Sequence, residues 1–112
     1  MTAPINPSVQ VVYWHRELPP LTAEVVGEHT LEADSGRVAL AFSRGDEEWG
    51  RCYGDLMTRA RARMEQEVAR LGGQYAHVRH ELVYPKHDEA AGEAWLSGRF
   101  EYVLYREPAN VG

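Results

Sequence analysis

The chain has 112 residues, 44% of them hydrophobic, which is enough to bury one core but too short for two domains. Twelve Lys and Arg against seventeen Asp and Glu give a formal net charge of −5, which disfavours a nucleic-acid partner because phosphate binding depends on positive potential. The single cysteine, Cys52, excludes an intrachain disulfide. Without a signal-peptide pattern or an apolar run that could span a bilayer, we expect a cytoplasmic protein with no membrane contact.

Strands are predicted before the middle of the chain. After a tail at residues 1–7, β-branched and aromatic residues favour a strand at 9–14 and imperfect alternation favours another at 24–33. A short apolar run at 38–42 predicts a third strand. The turn residues Asp34, Ser35 and Gly36 separate the second strand from the third, so we expect these two strands to form a hairpin.

A long amphipathic helix is predicted from Asp46 to Gly73. Capping oxygens and acidic residues suit its start, and Arg70 with the Gly72-Gly73 pair suits its end. Gly50 and Gly54 make a bend possible. The apolar stripe recurs at steps of three and four residues and consists of Trp49, Tyr53, Leu56, Met57, Ala60, Met64, Val68 and Leu71.

Two alternating strands follow the helix, at 75–84 and 94–105, with a polar loop at 85–93 between them and a tail at 107–112. Alternation assigns one set of side chains to the core, namely Ala76, Val78, His80, Leu82 and Tyr84 in the first strand and Ala94, Leu96, Gly98, Phe100, Tyr102 and Leu104 in the second. The opposite face carries apolar residues that a solvated sheet does not need, and these are the interface candidates Trp95, Val103, Tyr105, Tyr75 and Val83.

The order β-β-β-α-β-β predicts an α+β fold, a single domain in which an antiparallel or mixed sheet of about five strands packs on one long helix. Two explanations stay open for the apolar outer residues. Another subunit of a homo-oligomer covers them, or the first strands of the same chain wrap over that face.

The stretch ARARMEQEVARLGGQYAHVRHELVYP followed by GEAWLSGRFEYVLY resembles the small bacterial YbjQ-like domains, once named for heavy-metal binding, and the related RcsF-like signalling domains. In those families a long helix ends in a Leu-Gly-Gly or Leu-Gly-Ala phrase and passes directly into a strand, as at Leu71-Gly72-Gly73 here. The segment LPPLTAEVVGEHTLEA is similar to their opening strand. The resemblance implies an α+β fold, assembly into homo-oligomers and no established enzymatic activity. The chain departs from the metal-binding name, because no cysteine pair or histidine cluster stands at ligand spacing.

A ligand pocket between helix and sheet is the main site hypothesis from the residues themselves. His80, Tyr84, Tyr53 and Met64 would line it, for small-molecule binding or acid-base chemistry. For His80 itself the favoured interpretation is an imidazole that is hydrogen-bonded at the margin of the core, with a ligand-binding or acid-base role as the alternative. No nucleophile motif or phosphate-binding loop is present, and no cofactor is predicted.

Two weaker candidates complete the set. His87, Asp88 and Glu89 could hold a divalent cation, although a solvated loop is the favoured explanation for them. Arg59, Arg63 and Arg70 lie on one flank of the helix, together with Cys52, and could bind an anion or pair with carboxylates such as Glu67. The sequence thus favours a non-enzymatic domain that self-assembles and binds a protein or small ligand, with a pocket-based binding protein or enzyme and a metal-binding protein as alternatives.

Overall fold

The computed structural model describes residues 10–42 and 46–108. The elements in these ranges are, in order, β1 (Val12–Trp14), β2 (Glu24–Asp34), β3 (Val38–Ala39), α1 (Asp46–Arg70), β4 (Tyr75–Asp88) and β5 (Glu93–Arg106). The predicted α+β class and the order of elements are confirmed. The predicted tail at 1–7 and the last four residues of the tail at 107–112 lie outside the described residues.

The sheet is mixed, with strand order β1-β4-β5-β2. β4 and β5 form a long antiparallel hairpin, β2 is antiparallel to β5 on its other side, and β1 runs parallel to β4. The helix α1 packs on one side of this sheet, which we call the helix face, and the opposite side is the outer face.

The hairpin predicted between β2 and β3 is wrong. Both strands pair with β5, one after the other along the same edge. The polar residues after β2 do not reverse the chain, because Ser35 is held on β5. Its N–H donates to the Leu96 carbonyl (2.8 Å), and its hydroxyl oxygen accepts from the Leu96 N–H (2.9 Å). After β3 the chain forms a 3₁₀ turn at Leu40–Phe42 rather than a continued strand.

The helix α1 is unbroken over 25 residues, about 37 Å, and passes through Gly50 and Gly54 without interruption. Every fourth residue of it is buried against the sheet, in a stripe that consists of Cys52, Leu56, Ala60, Met64 and Val68. Steps of four residues drift around the helix by about 40° each. The stripe therefore reaches Cys52, which is 3% exposed, and leaves Tyr53 43% exposed, the reverse of the prediction.

A Schellman motif ends the helix. Gly72 has φ of 75°, the N–H of Gly73 donates to the Val68 carbonyl at 2.9 Å, and the N–H of Gly72 donates to the Ala69 carbonyl at 3.2 Å. A Cβ atom at Gly73 would overlap the side chain of Leu104. The glycine pair thus serves two needs, a left-handed turn and a close approach between the helix exit and β5.

A β-bulge at Arg79 divides β4. Val78 pairs with Tyr102 but His80 pairs with Glu101, so Arg79 is the extra residue. Because one inserted residue moves every later side chain to the opposite face, the residues beyond it are exchanged relative to simple alternation. The prediction that His80, Leu82 and Tyr84 share the core face is therefore wrong, and all three lie on the outer face.

The hairpin of β4 and β5 is longer than predicted, since residues 85–88 continue the strand and only a four-residue turn remains before Glu93. Pro85 is accommodated because β1 pairs only with Ala76 to Val78, which leaves this part of β4 as an edge among the described strands. Gly92, with φ of 67°, closes the turn.

The connection from β1 to β2, residues 15–23, crosses the outer face, because these two strands are opposite edges of the sheet. His77 Nε2 bonds to the carbonyl oxygen of His15 at 2.7 Å, and the Thr22 hydroxyl donates to Glu107 at 2.8 Å. Beneath this crossover Tyr75 and Val103 are buried. For these two outer residues the chain itself provides the cover, but through this connection rather than through the first strands, which lie in the sheet itself.

Candidate functional site

The outer face carries a cleft of about 630 Å³ at the bulge, a volume typical of small-molecule sites. Its outer-face lining comes from three strands: Glu28 and Thr30 of β2, Glu101 and Val103 of β5, and Arg79 and His80 of β4. We call it the bulge cleft. The strand register sets its layout, since Glu101 lies between His80 on one side and Thr30 on the other.

Four ionisable side chains of the bulge cleft have no ion-pair partner among the residues that the structure describes. They are Glu28, Arg79, His80 and Glu101. Carboxylates can accept hydrogen bonds from an ammonium group, and a guanidinium can donate two parallel bonds to a carboxylate. The bulge cleft therefore offers contacts to both signs of charge.

The predicted helix-sheet pocket does not bring its four residues together. His80 and Tyr84 lie on the outer face. Tyr53 is on the helix, on the other side of the sheet, and Met64 is completely buried in the core. The sheet separates the two pairs, so they cannot line one cavity.

A second group of polar residues joins β1, β4 and the helix. His15 Nε2 lies 2.6 Å from Glu81 Oε1, and the Tyr53 hydroxyl donates to Glu81 Oε2 at 3.3 Å. Burial, together with the negative charge of Glu81, raises the pKa of the Tyr53 phenol above its ordinary value. His15, at the end of β1, adopts a positive φ of 54°.

Sequence reasoning missed His15 and assigned Glu81 to the wrong face. Tyr53 and His15 are 28 and 66 positions away from Glu81 in the sequence, so no local motif contains all three residues. Glu81 reaches the helix face only because the bulge at Arg79 inverts the alternation beyond it. A bulge leaves no sequence signal here, since Arg79 and its neighbours are all compatible with a regular strand.

Each arginine of the predicted anion-binding edge has a protein partner. Arg59 Nε lies 3.1 Å from Asp55, Arg70 forms two hydrogen bonds with Glu67 at 2.7 and 2.9 Å, and Arg63 donates to the Glu32 carbonyl. The hydrogen bonds from Arg70 lower the pKa of the Glu67 carboxyl. These contacts engage the three guanidinium groups within the protein itself.

The interface candidates have several different environments. Tyr75 and Val103 are buried, and Val83 lies on the helix face against the core because of the bulge. Tyr105 and Trp95 are half-buried. The guanidinium carbon of Arg37 lies 4.0 Å from the centroid of the Trp95 ring, and the indole N–H of Trp95 has no acceptor among the described residues.

The three weak metal candidates do not form a common group of ligands. His87 Nε2 is 3.8 Å from Glu89, and Asp88 accepts a hydrogen bond from the N–H of Ala91 at 3.2 Å. Within residues 10–42 and 46–108, no group of three or more His, Cys, Asp or Glu is placed to hold a metal ion. In the same ranges, no helix has the length and apolar character that crossing a membrane requires.

The fold and its clefts define a small α+β domain with a charged cleft on the open face of a mixed sheet. Comparisons with family models, with curated proteins and with solved structures gave no match.

Proposed function

We propose that this domain binds a small zwitterionic ligand, one with an ammonium group and a carboxylate, in the bulge cleft and releases it unchanged. The observation that carries the proposal is the set of four ionisable side chains that have no ion-pair partner among the described residues and surround a cleft of about 630 Å³. Charged groups that do not pair with one another are available to a ligand without first breaking an internal contact.

Side chains of opposite charge, on different strands, can contact the two ends of the ligand. Arg79 can hold the ligand carboxylate, because a guanidinium matches its geometry with two parallel hydrogen bonds. Glu28 and Glu101 can accept hydrogen bonds from the ammonium group. His80 stands opposite Glu101 in the strand register and completes the polar wall.

The test is calorimetric titration with a panel of free amino acids, with simple amines and simple carboxylates as single-charge probes. We expect zwitterions to bind more tightly than either single-charge probe. Arg79→Gln and Glu101→Gln should each weaken binding by roughly tenfold or more, since each removes a charged hydrogen-bonding partner. Arg99→Gln is the matched control, an exposed arginine on the same face of β5 that does not line the cleft.

Equal affinity for all three classes of probe would contradict the proposal, as would unchanged binding in Arg79→Gln. Chemical change of a bound ligand on long incubation, lost in His80→Gln, would instead indicate an acid-base enzyme with His80 as its proton carrier.

Self-assembly is the second part of the proposal and is favoured by a separate observation. Leu18, Leu21 and Val25, close together in the chain, are 67%, 95% and 62% exposed. Exposed apolar residues that cluster are typical of interaction surfaces. Kinship with the YbjQ-like domains, which rests on the Leu71-Gly72-Gly73 exit and the order of elements, belongs to the same proposal.

Light scattering measures this directly. We expect a molar mass that is a multiple of 12.7 kDa and that falls in the Leu21→Ser variant. A mass of one chain at every concentration would refute self-assembly and leave the ligand proposal intact.

A further inference from the structure

Arg61 differs from the other arginines of α1 in having no ion pair or hydrogen bond to a described residue. The other four are engaged: Arg51 with Glu48 at 3.1 Å, Arg59 with Asp55, Arg63 with the Glu32 carbonyl, and Arg70 with Glu67. Arg61 instead lines a cavity of about 300 Å³ between the helix and β1, together with Trp14, Met57 and Thr58. We call it the Trp14 cavity.

The apolar walls of the Trp14 cavity are held in place by the core. The Trp14 ring meets the ring of Phe100 edge-on, with centroids 6.0 Å apart and planes at 78°. Met57 also packs against the core cluster. Because Phe100 is completely buried, the orientation of the Trp14 indole is fixed before any ligand arrives.

No carboxylate of the described residues forms an ion pair with Arg61. Glu81 is held by Tyr53, one helical turn before Met57, and by His15, which follows Trp14 in the chain. Each of its oxygens thus has a partner other than Arg61. Thr58 uses its hydroxyl to donate to the Gly54 carbonyl at 3.0 Å, so the cation of Arg61 is the polar group at this cavity that is free to meet a ligand.

We propose that the Trp14 cavity binds a small planar aromatic carboxylate. The aromatic ring lies against Trp14 and Met57, where indole stacking and sulfur-aromatic contact both favour a flat apolar group. The carboxylate accepts hydrogen bonds from the Arg61 guanidinium. A volume of about 300 Å³ accommodates one or two fused rings. The site is independent of the bulge cleft, since the sheet separates them.

The experiment uses naphthoate and its uncharged analogue naphthamide as probes, with the full chain. Binding is followed by tryptophan fluorescence, and by the NMR signal of the Trp14 indole N–H, which is assigned with Trp14→Phe. We expect naphthoate to bind and to shift that signal. Naphthamide should bind roughly tenfold more weakly or worse, because it lacks the charge that Arg61 recognises.

Three variants define the role of Arg61. Arg61→Gln should lose the preference for naphthoate over naphthamide, and it should fold normally because its side chain has no described partner to lose. Arg61→Lys should keep part of the preference. Arg51→Gln, another exposed arginine of the same helix, should bind both probes like the wild type.

The proposal is overturned if wild type binds the two probes equally, if Arg61→Gln keeps the preference, or if naphthoate leaves the Trp14 signal in place. Arg79→Gln should leave naphthoate binding unchanged. Because Arg79 lines only the bulge cleft, this variant shows whether naphthoate binds at the Trp14 cavity independently of the bulge cleft.

Discussion

Replacement of Gly98 by Ala tests how closely the helix lies on the sheet. Gly98 is on the helix face of β5, where a Cβ atom would stand 2.7 and 2.8 Å from ring carbons of Phe100 and 3.1 Å from a methyl carbon of Leu56. Ordinary van der Waals contacts of a Cβ atom begin at 3.4 Å. The Phe100 ring would therefore have to retreat by about 0.7 Å, and the Leu56 side chain by about 0.3 Å.

Neither neighbour has room to yield. Phe100 and Leu56 are both completely buried, and Trp14 packs edge-on against the Phe100 ring. Overpacking of a well-filled core costs about 1–3 kcal/mol. The lower chain entropy of unfolded Ala relative to Gly offsets about 0.4–1 kcal/mol of this. We expect a net loss of about 1–2 kcal/mol in the free energy of unfolding.

Urea denaturation followed by circular dichroism measures the change, with the midpoint expected to fall and the slope to stay constant. The matched control is Gly54→Ala, at an exposed helix position with no atom within 4 Å of the added Cβ, where we expect a gain of about 1 kcal/mol. If Gly98→Ala were as stable as wild type or more stable, the close packing of α1 on β5 described above would be refuted.

Three further predictions concern other parts of the fold. Ser35→Ala should lower the free energy of unfolding by about 1–3 kcal/mol, because the N–H of Leu96 loses its acceptor in a buried site, and urea denaturation would show it; unchanged stability would contradict that bond. Burial raises the pKa of Tyr75 and Tyr102 above 10.0, the value in the unfolded chain. The free energy of unfolding should therefore be constant below pH 10 and fall as the pH rises through the folded-state pKa values. Tyrosinate absorbance and denaturation curves would measure this, and a flat profile would refute the effect. The thiol of Cys52, 3% exposed, should react with a thiol reagent only after unfolding in urea, and fast labelling of the native protein would contradict its burial.

The parts of the fold that follow a simple period could be predicted from the sequence. In β5, the residues Leu96, Phe100 and Leu104 alternate as expected and are all buried. The predicted helix begins at the observed first residue, Asp46, but extends three residues beyond the observed last residue, Arg70. On the face of β5 that meets the helix the alternation is regular, so hydrophobic periodicity predicts which of these side chains are buried.

The other features depend on which strands pair and on which segments cover the sheet. Tyr75, Ala76, His77 and Val78 are buried in succession, because the helix covers one face of β4 here and the crossover covers the other. The crossover depends on β1 and β2 being opposite edges of the sheet, which no local pattern in the sequence expresses. The same holds for Ser35, whose bonds to Leu96 join residues 61 positions apart.

The bulge at Arg79 links these structural differences to both proposed sites. In a regular strand His80 would enter the core beside Phe100 and Glu81 would face outward; the extra residue exchanges them. His80 thereby joins Arg79 and Glu101 in the bulge cleft, while Glu81 turns to the helix side and engages His15 and Tyr53. One inserted residue therefore sets the charge of the cleft on the outer face and brings Glu81 to the side of the sheet that carries the Trp14 cavity.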